Sequence, residues 1–135
     1  MSGGRWNPTD PIWRHPSGTG TVFVGNQTAA QDLSMLRQLG VTHVLNCTAG
    51  SSQLPNYHEG KGSGITYHRF PISFWGSVVD NSHESIVAFV APVLAFVEGA
   101  LAAGGSVLVH CLAGAHRAGT TGCMLLMHLA GEIKM

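Results

Sequence analysis

Residues 106–110 (SVLVH) form a short run with an apolar Val-Leu-Val centre and no Asp, Glu, Lys or Arg, the composition of a strand buried on both faces of a sheet. A loop of small residues follows at once, and then an apolar segment at residues 121–130 that reads as a helix. Strand, tight loop and helix gather backbone N–H groups and the positive end of a helix dipole at one point, an arrangement suited to phosphate. The chain is therefore read as α/β.

The remaining elements agree with that class. Residues 21–24 make a short β-rich run closed by Gly25, and Thr28 with Gln31 has the capping-box pattern ahead of Leu33, Leu36 and Leu39, ended by Gly40. Residues 41–47 (VTHVLNC) read as a buried parallel strand and residues 65–70 (ITYHRF) as a more exposed one. From Asn81, with Glu84 three residues on, a helical pattern runs to about Ala103; a bend or break is expected at Pro92, and Gly104 and Gly105 stop it. This predicts a central, mostly parallel sheet of four to five strands flanked by helices, with a short C-terminal helical part. At 135 residues one domain is expected, 21–135, preceded by an irregular arm, 1–20, in which Pro8, Pro11 and Pro16 break regular structure and Ile12 and Trp13 hold the arm down.

Composition excludes several functions. Seven basic and seven acidic residues cancel, and no Lys or Arg run builds a nucleic-acid surface, so an anion must be caught locally. Three cysteines at unrelated spacings, with no secretory leader pattern, point to a reducing intracellular compartment, cytoplasm or nucleus. The most apolar stretch, 86–103, holds Pro92 and Glu98 and is read as a core helix rather than a membrane span. The eight histidines never fall into a metal-ligand spacing, and no metal or other cofactor is expected.

The chemistry concentrates in residues 110–119 (HCLAGAHRAG), where a cysteine and an arginine are separated by five residues. Leu112, Ala113, Gly114, Ala115, His116 and Arg117 would offer backbone N–H groups to a phosphate, and Gly114 permits a close approach that a β-carbon would block. Arg117 adds a bidentate fork. The same dipole, amides and guanidinium favour the thiolate form of Cys111, the form that acts as a nucleophile. Residues 114–121 (GAHRAGTT) also fit the spacing of a nucleotide-binding loop, but Thr120 stands where that loop needs lysine.

HCLAGAHRAGT resembles the signature of the cysteine-dependent protein tyrosine phosphatase superfamily. VFVGNQTAAQDLSMLRQLGVTHVLNCT and LPNYHEGKGSGITYHRFPIS resemble its dual-specificity branch, over residues 12–135 in all. The resemblance implies that Cys111 becomes phosphocysteine, that Arg117 binds the phosphoryl group, and that His110 supports the loop. It also requires a carboxylic acid to protonate the leaving oxygen. Asp80 is the candidate, being the only aspartate between Asp32 and Cys111.

Three departures from the family pattern bear on activity. Phe74, Trp75 and further residues separate PIS from Asp80; Ala118 replaces a hydroxyl, leaving Thr120 to substitute; and the C-terminus is short. Slow turnover is expected. The family also implies a phosphoprotein substrate, a signalling kinase among the candidates, and a redox role for Cys47 as disulfide partner of Cys111. Cys123 is expected in the core. A phosphate-binding module without turnover and a sulfurtransferase stand as rivals.

Overall fold

In the computed structural model, residues 8–49, 54–111 and 117–131 are described. The strands are β1 (Thr9–Arg14), β2 (Thr21–Gly25), β3 (Val41–Asn46), β4 (Thr66–Arg69) and β5 (Ser106–His110). They form one sheet in the order β1-β2-β5-β3-β4, parallel except for the antiparallel pair β1–β2. The helices are α1 (Gln27–Gln31), α2 (Leu33–Gln38), α3 (Trp75–Val78), which follows a 3-10 turn at Ile72–Phe74, α4 (His83–Ala102) and α5 (Arg117–Leu129).

The two-residue period of the strands divides the core into two layers. Val22, Leu45, Val107 and Val109 turn to one face, where α4 supplies Val90, Val93, Leu94, Val97, Ala100 and Leu101 and α5 supplies Ala118 and Leu125. Phe23, Val44 and Leu108 turn to the other, under Ala29, Ala30 and Leu36 of α1 and α2. β5 lies between β2 and β3 and is buried along its whole length.

Several expectations change. The first twenty residues are not uniformly irregular, because β1 pairs with β2 despite Pro11; its register shifts between Pro11 and Trp13, which accommodates the proline at the sheet edge. The single helix expected after Gly25 is two short ones. Asn26 Oδ1 accepts from the Ala29 N–H at 3.1 Å and Asp32 Oδ1 from the Met35 N–H at 3.0 Å, so these residues cap, rather than Thr28 with Gln31.

α4 is capped by Ser82 instead of Asn81 and runs on through Pro92. The missing N–H leaves the Ala88 carbonyl without its helical partner, but Ala88 and Pro92 are both exposed, so water can satisfy it. By length and composition alone this helix could cross a membrane; here one face of it closes the core. Cys123 is exposed on the outer side of α5, a correction to its expected burial.

α5 approaches the sheet at Gly122, where an added β-carbon would lie 2.7 Å from Val24 Cγ2 and 3.2 Å from Ile12 Cδ1. Gly122→Val should therefore overpack this contact and lower stability by about 2 kcal/mol, read as an earlier urea midpoint at unchanged slope.

Candidate active site

The C-terminal ends of β5 and β3 lie side by side at the centre of the sheet. The Cys47 N–H donates to the His110 carbonyl at 2.8 Å, continuing the Asn46–His110 register one step beyond the strands. Cys111 leaves β5 at this point, buried at 3% exposure, and Arg117 opens α5. The segment between them, with the expected phosphate-binding residues Leu112, Ala113, Gly114, Ala115 and His116, lies outside the described residues.

Around this pair the structure gives each side chain a definite environment. Cys47 is fully buried, its thiol donating to Thr121 Oγ1 at 3.5 Å, and burial pushes its pKa up to about 12. Thr121 in turn donates to the Arg117 carbonyl at 2.8 Å, tying the first turn of α5 to the end of β3. Thr120, the hydroxyl expected to stand in beside Ala118, is exposed and lines the cleft at Arg117, while Thr121 turns inward. A Thr four residues into a helix can bond back to the i−4 carbonyl, as Thr121 does to Arg117.

His110 has no accessible surface, and among the described residues no hydrogen bond of good geometry reaches either ring nitrogen. Burial lowers its pKa to about 4, opposed only in part by the Cys111 backbone and reinforced by the charge of Arg69.

A polar clamp that the sequence reading missed holds the neighbouring loop. Arg69 donates to Thr48 Oγ1 at 2.8 Å and to the Leu54 carbonyl at 3.0 Å. Asn46 Nδ2 reaches the carbonyls of Leu54 and Pro55 and Oδ1 of Asn56, while its own Oδ1 accepts from the Thr48 N–H and hydroxyl. Its only trace in the sequence was a polar residue at the end of each strand, Asn46 closing β3 and Arg69 closing β4.

Asp80, the expected acid, is on the exposed turn before α4. Its Oδ1 accepts from the Ser82 N–H at 3.0 Å and the Ser85 hydroxyl at 2.7 Å, and these bonds, Ser82 first, hold its pKa at about 2. Asp80 is not among the described residues lining the cleft at Arg117, which are Ile72, Ser73, Trp75, Arg117, Thr120 and Met124. Among the described residues, no group of three His, Cys, Asp or Glu side chains is placed to hold a metal.

A cysteine ending a central parallel strand, and an arginine on the first turn of the next helix, define the class of cysteine-loop-arginine α/β proteins. The chain belongs to the family described as dual specificity phosphatase, catalytic domain, which it matches over residues 22–132. It is 34% identical over 124 residues to human dual specificity protein phosphatase 13B, a match covering 90% of this chain and 56% of that one. It is also 34% identical over 112 residues to dual specificity protein phosphatase Mpk3 of Drosophila melanogaster, covering 83% and 25%. The chain thus spans about half or less of the length of these curated relatives. The crystal structure of human DUSP28 superposes with a TM-score of 0.64 at 28% identity, over 93% of this chain and 72% of that one.

The buried His110 has a consequence for pH. Its folded-state value of about 4 lies below the ordinary 6.5, so as the pH falls below about 6.5 the unfolded chain takes up the proton first. Stability should be full above pH 6.5 and decline toward pH 4 by on the order of 3 kcal/mol. His43 and His68, also lowered by burial, act in the same direction. The portion of the slope that disappears in His110→Gln, read from urea midpoints between pH 4 and 7, is the share that belongs to His110.

Proposed function

We propose that this chain hydrolyses phosphate monoesters on proteins, phosphotyrosine as well as phosphoserine and phosphothreonine, through a phosphocysteine formed on Cys111. The observation that carries this reading is the location of Cys111 and Arg117 at the two ends of one strand-to-helix connection in the middle of a parallel sheet. In the first step the Cys111 thiolate attacks phosphorus, the S–P bond forms, the ester P–O bond breaks, and the leaving oxygen takes a proton. In the second, water attacks phosphorus, the S–P bond breaks, and inorganic phosphate and the thiolate are released. Arg117 and the N–H groups of residues 112–117 bind the phosphoryl oxygens in both steps, with His110 behind them.

Asp80 is the proposed proton donor and, in the second step, the base. In its cap position it is ionised at every pH above about 2, so it can act only after exchanging the Ser82 and Ser85 bonds for the leaving oxygen. Ala118 is a buried methyl group where many relatives carry a hydroxyl, which further slows release of the thiolate. We therefore read the enzyme as slow, acting on phosphoproteins such as a signalling kinase in a reducing compartment. The held position of Asp80 also favours a second reading, a phosphate-binding module with little or no turnover.

Kinetics separate the two. The wild type should release a burst of phenol from an aryl phosphate, Cys111→Ser should abolish it, and Arg117→Lys should reduce kcat/KM at least a hundredfold. Asp80→Asn should slow esters of poor leaving groups about a hundredfold and those of good ones less than tenfold, since an acid matters most where the leaving group is basic. A wild type that binds phosphate analogues yet turns nothing over would establish the module instead.

A redox role for Cys47 is part of the same proposal, supported by its position one strand from Cys111. Peroxide treatment followed by non-reducing peptide mass mapping should yield a Cys47–Cys111 linkage. Because the Cys47 thiol holds its proton, that linkage should form more slowly than oxidation of Cys111 itself.

A further inference from the structure

At the end of the sheet opposite Cys111, a second cleft of about 410 Å³ opens where the turn after β1 meets the C-terminal parts of α4 and α5. Its position follows from the register, since Trp13 pairs with Val22 and Val22 with Val107, near the start of the parallel strands. Arg117 and Leu129 are the first and last residues of α5, about 18 Å apart along its axis, and Leu129 lines this cleft. Glu98 is the only Asp, Glu, Lys or Arg among the described residues that line it. Glu98 Oε1 accepts from His128 Nε2 at 3.3 Å, and Oε2 has no partner among the described residues. α4 ends at Ala102 and α5 at Leu129, so the negative ends of two helix dipoles meet beside that carboxylate, and no basic side chain occupies the last turn of α4.

The facing wall is aromatic and held in place. The His15 backbone N–H donates to the Gly20 carbonyl at 2.7 Å, and His15 Nδ1 accepts from the Ser17 N–H at 3.1 Å. Trp13 stands edge-on to the His15 ring, centroids 5.8 Å apart. Arg14, the next residue along β1, points to the other face of the sheet and does not answer the charge of Glu98. Leu101, Ala102 and Leu129 make an apolar floor between carboxylate and indole. We propose that this cleft docks an arginine side chain presented by a partner protein. The methylene stem of an arginine lies along such a floor while its head stays polar. The guanidinium stacks on Trp13 and gives its N–H fork to Glu98, and being planar and weakly hydrated it suits an indole and a carboxylate together better than an ammonium does. A neutral side chain of the same length leaves Glu98 and the helix ends unanswered, and an acidic one is repelled. Docking here does not depend on what Cys111 does.

The test titrates arginine amide into the whole isotope-labelled chain at neutral pH and follows amide and indole N–H signals by NMR, beside lysine amide and citrulline amide, the last keeping the shape of arginine without its charge. Arginine amide should give saturable shifts at the Trp13 indole and at Leu101, Ala102 and Leu129, with the Trp75 indole unmoved. Lysine amide should bind more weakly and citrulline amide about tenfold more weakly than arginine amide, the combined loss of a cation–π contact and an exposed ion pair. Glu98→Gln should weaken arginine amide about fivefold. Ala102→Lys sets a tethered amine in the cleft at a helix end that favours it, so the saturable shifts should vanish while the urea midpoint does not fall. Citrulline amide binding as tightly as arginine amide would make the cleft merely apolar and overturn the proposal. An affinity unchanged in both variants would overturn it too, as would shifts that fail to saturate or spread over the other surface carboxylates.

Discussion

Hydrogen bonding of β5 along both edges, together with burial of both its faces, is the constraint on which the rest of the structure depends. Val107 and Val109 enter one layer of the core and Leu108 the other, so the strand cannot shift by one residue without exchanging the two. Its end is thus the most firmly located point in the fold, and Cys111 and the start of α5 inherit that position. The neighbouring end of β3 brings Cys47 there too, and the Thr121 hydroxyl links the two. A neutral, desolvated His110 is the cost of having a polar residue inside this arrangement.

How much of this was legible in the sequence depended on whether the signal was local. β5 was readable to the residue because five consecutive side chains are buried and glycines precede the run. The cysteine-to-arginine spacing was equally plain, since a strand end and a helix start are both local events. β1 was hidden because its pairing is held by partners on β2 and its own sequence carries Pro11. The division of the first helix turned on whether Asp32 would cap a new helix or sit inside the old one, a choice made by its side-chain bond to Met35. Pro92 was overweighted: on an exposed face, one lost helical bond does not end a helix of twenty residues. Cys123 was misplaced because apolar neighbours on both sides masked which face of α5 meets the sheet at Gly122 and Leu125.

Asp80 shows how a structural role and a chemical role compete for one carboxylate. The bonds from Ser82 and Ser85 stabilise the anion and help start α4, and the same stabilisation keeps the proton away. The segment just before it spends its apolar side chains differently, leaving Phe74, Trp75 and Val78 on the surface, with Trp75 in the cleft beside Arg117. Around Cys47, Arg69 and Asn46 hold Thr48 and Leu54 by hydrogen bonds, whereas Trp75 is held through ring contacts with Phe89 and Phe70.

The sheet has two outer strands, and each discourages further pairing. β1 offers an edge broken by Pro11, which has no N–H to give, and by the register shift beside it. β4 is only four residues long, and Pro71 follows shortly after its end. A chain with no net charge has little electrostatic repulsion to keep its copies apart in solution. Its resistance to joining sheet to sheet into fibrous aggregates therefore falls to these two blunted margins.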